Sequence, residues 1–211
     1  VIAWLFAAAY DPFMRGAERA CLAGWRAELL ADAAGEVLEI GAGTGANLAH
    51  YPAAVSRLVL AEPDASMRAR LTDLVARTGG RRVEVTGSAA EALPFEAGSF
   101  DTVVSTLVLC SVADPDATLA EARRVLRPGG RLLFLEHIAA EGRPDRLAWQ
   151  RRLEPAWLRV CGNCHLTRRT GEAIRRAGFV VEKEKRESMR KALPIVRPSI
   201  RGVARAPVAG G

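Results

Sequence analysis

Short apolar, β-favouring runs alternate with helical stretches along most of this chain, and that alternation leaves few folds open. Residues 37–40, 57–62, 82–85, 101–106 and 131–136 read as strands, and 179–181 and 200–204 add two more, making seven. Between them lie helical patterns. Phe13, Met14, Ala17, Cys21, Trp25 and Leu29 recur at helical spacing and predict an amphipathic helix over 11–31, closed by Gly35. Asp64 is placed to cap a helix whose apolar face is Met67, Leu71, Leu74 and Val75, ending at Gly79-Gly80. Asp114-Pro115 supplies an N-cap and a first-turn proline for a helix through Leu126, and Arg127-Pro128-Gly129-Gly130 reads as a turn. Residues 145–178 read as two helices around a polar break at 161–165. Strands alternating with helices build βαβ units, and therefore a mostly parallel sheet covered on both faces, of the α/β Rossmann-like class.

Size and composition agree with one domain over 1–211. A chain of 211 residues and 22.7 kDa buries about 70% of its unfolded surface and needs no disulfide or metal to hold a core. Four cysteines make no disulfide framework, which points to a reducing cytoplasm. The apolar opening, residues 1–10, is far shorter than the roughly 18–20 residues of a bilayer span and lacks a basic leader. It reads as a buried or surface-docked helical start, with a membrane-surface anchor as the alternative. The net charge of +6 is uneven: residues 1–120 carry 9 basic and 15 acidic side chains, and 121–211 carry 21 and 9. Such a basic half suits nucleic acid, anionic lipid or an acidic substrate. Its paired arginines (123/124, 151/152, 168/169, 175/176) lie in helical patterns, however, and read as solvated faces. No nucleic-acid motif accompanies them.

The chemistry sits where a strand runs into Gly41-Ala42-Gly43-Thr44-Gly45 and a helix is expected to open. Glycines let the backbone turn tightly and approach a ligand with no Cβ in the way. Glu62 follows about 17 residues after Gly45, at the end of the second strand, where a carboxylate can accept from both hydroxyls of a ribose. Gly41, Gly43 and Ala46 also satisfy the looser dinucleotide pattern, so NAD enters as an alternative, as does a plain βα turn.

Four segments occur in order: Glu39-Ile-Gly41-Ala-Gly43-Thr-Gly45, Glu62-Pro-Asp-Ala-Ser-Met67, Glu91-Ala-Leu-Pro-Phe95 with Phe100-Asp101, and Val125-Leu-Arg-Pro-Gly-Gly130. Together they resemble the class I S-adenosylmethionine (SAM) methyltransferases of the small-molecule type 11 kind, over about residues 36–137. Residues 106–112, 136–141, 154–157 and 164–168 extend the likeness to the methyltransferase-like thiol S-methyltransferases, membrane-associated enzymes that methylate small alkyl thiols. The resemblance implies a seven-stranded sheet with an antiparallel last strand, an N-terminal helical cap over 1–35, a SAM-binding core over 36–137, and substrate-side helices and last strands over 138–211.

It also implies roles. Glu39 and the backbone of Gly41, Ala42, Gly43 and Gly45 would hold the methionine end of SAM, with the helix N-terminus suiting its carboxylate. Glu62 would take the ribose, and Pro63 and Met67 would pack near the adenosine. Ser88, Ala89 and Ala90 would lie by the adenine. Ala89 stands where the family often has Asp or Asn, so backbone groups or Ser88 must supply that contact. Thr106 and Leu107 would line the sulfonium region. Core packing is the plain alternative for Met67 and Leu107. The product would be S-adenosylhomocysteine.

Methyl transfer needs the acceptor about 3 Å from the methyl and water kept out. A thiol acceptor is already a few per cent thiolate, so a strong base is optional. His137, ending the fifth strand, is the candidate base or substrate-orienting group, against a structural histidine at a strand end. His50 is expected on the surface of the helix after the glycine loop, and His165 in the break that may border the acceptor. Cys110 reads as pocket-facing or as buried and inert. Tyr10 and the first helix would fold over the cofactor as a lid or pack on the sheet edge. Trp149 and Trp157 would wall the acceptor or join the core.

Cys161-Gly-Asn-Cys164-His165 matches the c-type haem attachment pattern, but no secretory signal or axial ligand accompanies it. It lies between helices, unlike a redox Cys-x-x-Cys, and no further zinc ligand is spaced for it, so no metal is expected. The function expected is SAM-dependent methylation of a small molecule, with a thiol preferred. A quinol, phospholipid headgroup or natural product methylated on O or N is the alternative, and a SAM-binding module without turnover is the alternative of another class. A peripheral membrane contact stays open.

Overall fold

The computed structural model describes residues 3–78 and 82–208, with side chains from Tyr10 onward. The chain opens with helix α1 (Ala3–Ala17), which passes through a π turn at Glu18–Leu22 into α2 (Ala23–Leu30). Strand β1 (Gly35–Ile40), β2 (Val55–Ala61), helix α3 (Ala65–Thr78), β3 (Val83–Thr86) and β4 (Phe100–Thr106) follow. Then come α4 (Pro115–Val125), β5 (Leu126–His137), α5 (Pro144–Val160), α6 (Thr170–Arg176), β6 (Val180–Ser188) and β7 (Pro198–Arg205). The seven strands form one sheet in the order β3-β2-β1-β4-β5-β7-β6, and β7 alone runs antiparallel to its neighbours. The order reverses between β1 and β4, which is where α/β sheets bind ligands, at the carboxyl ends of the strands.

The period of two in a strand sends neighbouring residues to opposite faces. Leu38, Ile40, Val103, Leu132 and Phe134 meet Leu119, Ala122 and Val125 of α4 and Ala173 and Ile174 of α6. Val37, Leu58, Val104, Leu133 and Leu135 meet Leu22, Leu29 and Leu30 from the first helices and Leu71 of α3. Helices therefore cover both faces of the sheet. Asp114 caps α4 as the sequence requires, accepting from the amides of Asp116 and Ala117 at 2.9 and 3.0 Å.

Three expectations are corrected. No α-helix follows the glycine loop: residues 43–47 form turns and only a 3₁₀ turn, Leu48–His50, comes after. Pro52 leaves too few residues for a helix that must start after Gly45. Arg127–Gly130 is a bulge within β5, since Leu126 pairs with Phe100 and the next pair is Arg131 with Thr102. Strand β6 runs on to Ser188 through Glu182-Lys183-Glu184-Lys185-Arg186-Glu187. That run carries no apolar alternation because it is the outer edge of the sheet, where charge protects an unpaired strand. Gly79 and Gly80 fall outside the described residues.

Candidate active site

Three glycines with positive φ shape the turn after β1: Gly41 at 59°, Gly43 at 58° and Gly45 at 93°. A Cβ on Gly41 would stand 2.5 Å from Val108 after β4, and one on Gly45 would stand 2.8 Å from Leu74 of α3. These two glycines let the loop pack. Gly43 differs, because no atom lies within 4 Å of where its Cβ would be. Its amide donates to Glu62 Oε2 at 2.8 Å, and the amide of Asp64 donates to Glu62 Oε1 at 2.8 Å. Glu62 follows directly on β2, buried, and burial raises its carboxyl pKa against the pull of those two amides. Each oxygen keeps a lone pair for a further donor. A turn with open space at Gly43 beside a fixed carboxylate is the candidate place for an adenosyl group and its ribose hydroxyls.

A buried polar network underlies the loop. Asn47 Nδ2 donates to Glu39 Oε1 at 2.8 Å, and the Tyr51 hydroxyl donates to Oε2 at 2.7 Å. Burial pushes the Glu39 carboxyl up to about 7, against those hydrogen bonds and the charge of Arg26. Arg26 of α2, itself buried, donates to Asn47 Oδ1 and Thr106 Oγ1, each at 2.9 Å, and pairs with Glu18 at 3.0 Å. Thr44 of the loop donates to Asp11 of α1 at 2.7 Å. The first two helices are thus tied to the glycine loop and to the end of β4.

The second half of the site gathers at the ends of β4 and β5. Leu107 takes φ 60° and its amide donates to Leu135 O at 2.7 Å. Glu136 is fully buried and accepts from Ser105 Oγ at 2.7 Å, and burial raises its pKa. His137, at the end of β5, brings Nε2 to 2.9 Å from Cys164 Sγ, while its buried Nδ1 has no hydrogen-bond partner among the described residues. Cys110 completes a cluster in which the two sulfurs and a His137 nitrogen lie within 4.8 Å of one another. The hydrogen bond from Cys110, and after it the His137 ring, pull Cys164 toward thiolate, and the same bond and burial push Cys110 up. Tyr10 of α1 lies close enough for Arg26, Cys110 and Cys164 all to act on its phenol, whose pKa burial raises.

With this geometry in place, comparison with known proteins decides the family. A methyltransferase domain family matches residues 38–134. Human thiol S-methyltransferase TMT1A is 38% identical over 170 residues, covering 80% of this chain and 69% of its own length. The chain belongs to the SAM-dependent methyltransferases. Rat thiol S-methyltransferase TMT1B is 39% identical over 171 residues, covering 80% of this chain and 69% of that protein. A solved geranyl diphosphate methyltransferase in complex with SAM shares the fold, with a TM-score of 0.65 and 16% identity, covering 87% of this chain and 84% of that one. This methyltransferase is an enzyme of the class I fold, and its cofactor is SAM.

The residues singled out from sequence do gather at one end of the sheet, in different capacities. Gly41, Gly43 and Gly45 shape the turn and Glu62 is bonded to it, with Pro63 exposed next in sequence and Met67 buried in the first turn of α3. Ala42 is turned into the core and its amide is spent on Ala61 O at 3.0 Å, so it offers the cofactor no donor. Glu39 and Thr106 face the buried network, which makes them supports of the loop. Ser88 shares a 2.7 Å hydrogen bond with Thr86, Ala89 is exposed, and Ala90 packs in the core. Trp149 is not core: it is 57% exposed and lines a cavity of about 270 Å³ with Arg143 and Pro194, whereas Trp157 stands by Cys164. His165 pairs with Glu154 at 3.0 Å. Cys164 is not an incidental thiol, because folding supplies it with Cys110 and His137. Asn47, Tyr51 and Arg26 were not legible as site residues, although an arginine in the helical register of Leu22, Leu29 and Leu30 was a signal of a buried polar role.

Proposed function

We propose that this methyltransferase moves the methyl group of SAM to the sulfur of a small thiol. The observation that carries the proposal is the 38–39% identity, over about four fifths of the chain, to proteins named as thiol S-methyltransferases. Free Cys21, Cys110, Cys161 and Cys164 suit a reducing compartment, in which small thiols persist. On this reading Glu62 accepts from the ribose hydroxyls, the open backbone at Gly43 admits the donor, and Pro63, Met67, Ser88 and Ala89 border the adenosine. Leu107 borders the sulfonium, while Glu39 and Thr106 hold the loop from below.

When bound, SAM supplies a methyl already activated on a sulfonium. The chain has to orient the acceptor in line with it and exclude water, and α1, bonded to the loop through Asp11 and Thr44, would do so. His137 is the group that acts on the acceptor's proton, an easy task for a thiol of pKa near 8.5.

The test offers the purified protein SAM with an alkyl thiol, a phenol and an amine, and reads product mass and connectivity. A methyl sulfide from the thiol is expected. An O- or N-methylated product with no sulfide overturns the thiol assignment. His137→Ala should lower turnover about tenfold or more while S-adenosylhomocysteine affinity stays within a factor of about two. Unchanged turnover removes His137 from the mechanism.

A further inference from the structure

The cluster of Cys110, His137 and Cys164 sets two thiols beside the histidine, a donor set beyond what proton removal by His137 calls for. We propose that these three residues form a zinc site. They come from three segments far apart in sequence: the loop after β4, the end of β5, and the break between α5 and α6. Their donor atoms nevertheless lie within 4.8 Å of one another. Cys110 is 2% exposed and His137 4%.

Hydrogen bonds tie together the two segments that bear the sulfurs. His165 N donates to Cys110 O at 2.7 Å, and Asn163 Nδ2 donates to Ser111 O at 2.9 Å. Arg168 donates to Leu109 O and Val112 O, each at 2.6 Å. The loop bearing Cys110 is thereby laced to the segment bearing Cys164 from both sides.

The chemistry selects the ion. Two thiolates and an imidazole are a soft set that suits zinc and disfavours magnesium or calcium. Two thiolates also neutralise a dication, so the buried site takes up no net charge. Zinc–sulfur bonds of about 2.3 Å and zinc–nitrogen bonds of about 2.0 Å in a tetrahedron set donors roughly 3.5–3.8 Å apart. The 2.9 Å contact between His137 Nε2 and Cys164 Sγ must open by less than about 1 Å, a small side-chain rotation, as the ion takes the place of the proton they share.

Three protein ligands leave a tetrahedral ion one open position, the arrangement of catalytic rather than structural zinc. On the thiol reading, an acceptor thiol RSH binding there loses its proton to solvent and stays as RS⁻ on the metal. The methyl then passes from the sulfonium sulfur to that sulfur, whose bond to zinc breaks, and S-adenosylhomocysteine leaves. His137 would then serve as ligand in place of base. This step rests on the thiol reading, but the zinc site itself does not.

The experiment incubates the reduced full chain with zinc, removes loose metal with a weak chelator and measures zinc by mass spectrometry. Cobalt loading is followed by sulfur-to-cobalt charge-transfer absorption. Stoichiometric zinc is expected in the parent protein and in Cys161→Ser. Affinity should fall by more than about tenfold in Cys110→Ser and Cys164→Ser, since losing a ligand costs more than losing a group behind one. Binding of S-adenosylhomocysteine reports that each variant is folded. No retained zinc in the folded, reduced parent overturns the proposal, as does zinc kept by a folded Cys164→Ser or a Cys110–Cys164 disulfide as the only change found. Product analysis is scored separately: zinc uptake with only O- or N-methyl products removes the thiol reading and leaves the site standing. Methyl sulfide from a protein that takes up no zinc does the reverse.

Discussion

Gly41 and Gly43 have nearly the same backbone angle and different neighbours, and this separates stability from binding. Either residue as alanine bears about 1–2 kcal/mol for left-handed backbone. Gly41→Ala adds a collision with Val108 and should lose roughly 2–4 kcal/mol in urea unfolding. Gly43→Ala meets open space, so its stability should fall only by the backbone cost, while calorimetry should show S-adenosylhomocysteine affinity down about tenfold because the new methyl intrudes on that space. Equal losses of affinity and stability in both would show that the two positions do not differ in role. Glu39 gives a second residue-scale prediction. Its carboxyl lies at about 7 in the folded chain against an ordinary value of 4.5, so between these values the folded chain holds a proton that the unfolded chain has released. That contribution is complete below pH 4.5 and is lost as pH rises through 7, by up to about 3 kcal/mol. Glu39→Gln should flatten this part of the stability profile, and an unchanged slope would place the proton elsewhere. The sequence showed Gly41, Gly43 and Glu62 because spacing alone brings a bare loop beside a carboxylate. It did not show Asn47 or Tyr51, whose partners are set by how the chain turns after Gly45, nor that Cys110 and His137 would meet Cys164.

Among the elements, the first helices carry more than their amphipathic pattern promises. Arg26 joins α2 to Glu18, Asn47 and Thr106 within the interior. Arg26→Ala leaves Asn47 Oδ1 without a donor in the interior and takes the counter-charge from half-buried Glu18, and should cost about 2–4 kcal/mol. A chain of this length then melts roughly 4–16 °C lower, and a fall under about 2 °C would mean that the network is not coupled to folding. Central strands were legible because they are apolar on both faces, and α4 because aspartate and proline mark its start. The missing helix after the glycine loop and the long β6 were not. A proline seven residues past Gly45 overrides the family pattern in the first case, and an edge strand has no reason to alternate in the second.

At the scale of the molecule, the proposed site lies at one end of the sheet, and its occupancy should be visible in global stability. S-adenosylhomocysteine at about a hundred times its dissociation constant adds about 2.7 kcal/mol, or roughly 5–10 °C of melting temperature. Glu62→Ala should abolish the shift without abolishing folding, and a full shift in that variant would remove Glu62 from the cofactor site. In the basic half of the chain, Arg124, Arg169, Arg175, Arg176, Arg201 and Arg205 are each paired with a carboxylate. No helix among the described residues is long and apolar enough to cross a membrane.

The bond from Thr44 to Asp11 fastens the outermost helix across the mouth of the glycine turn. On the proposed site, a spent donor leaves the space beside Gly43 next to that fastening. Escape therefore competes with chemistry for control of the steady state, and a thicker solvent will slow the saturated enzyme more than it slows a variant, Asp11→Ala, whose strap is undone.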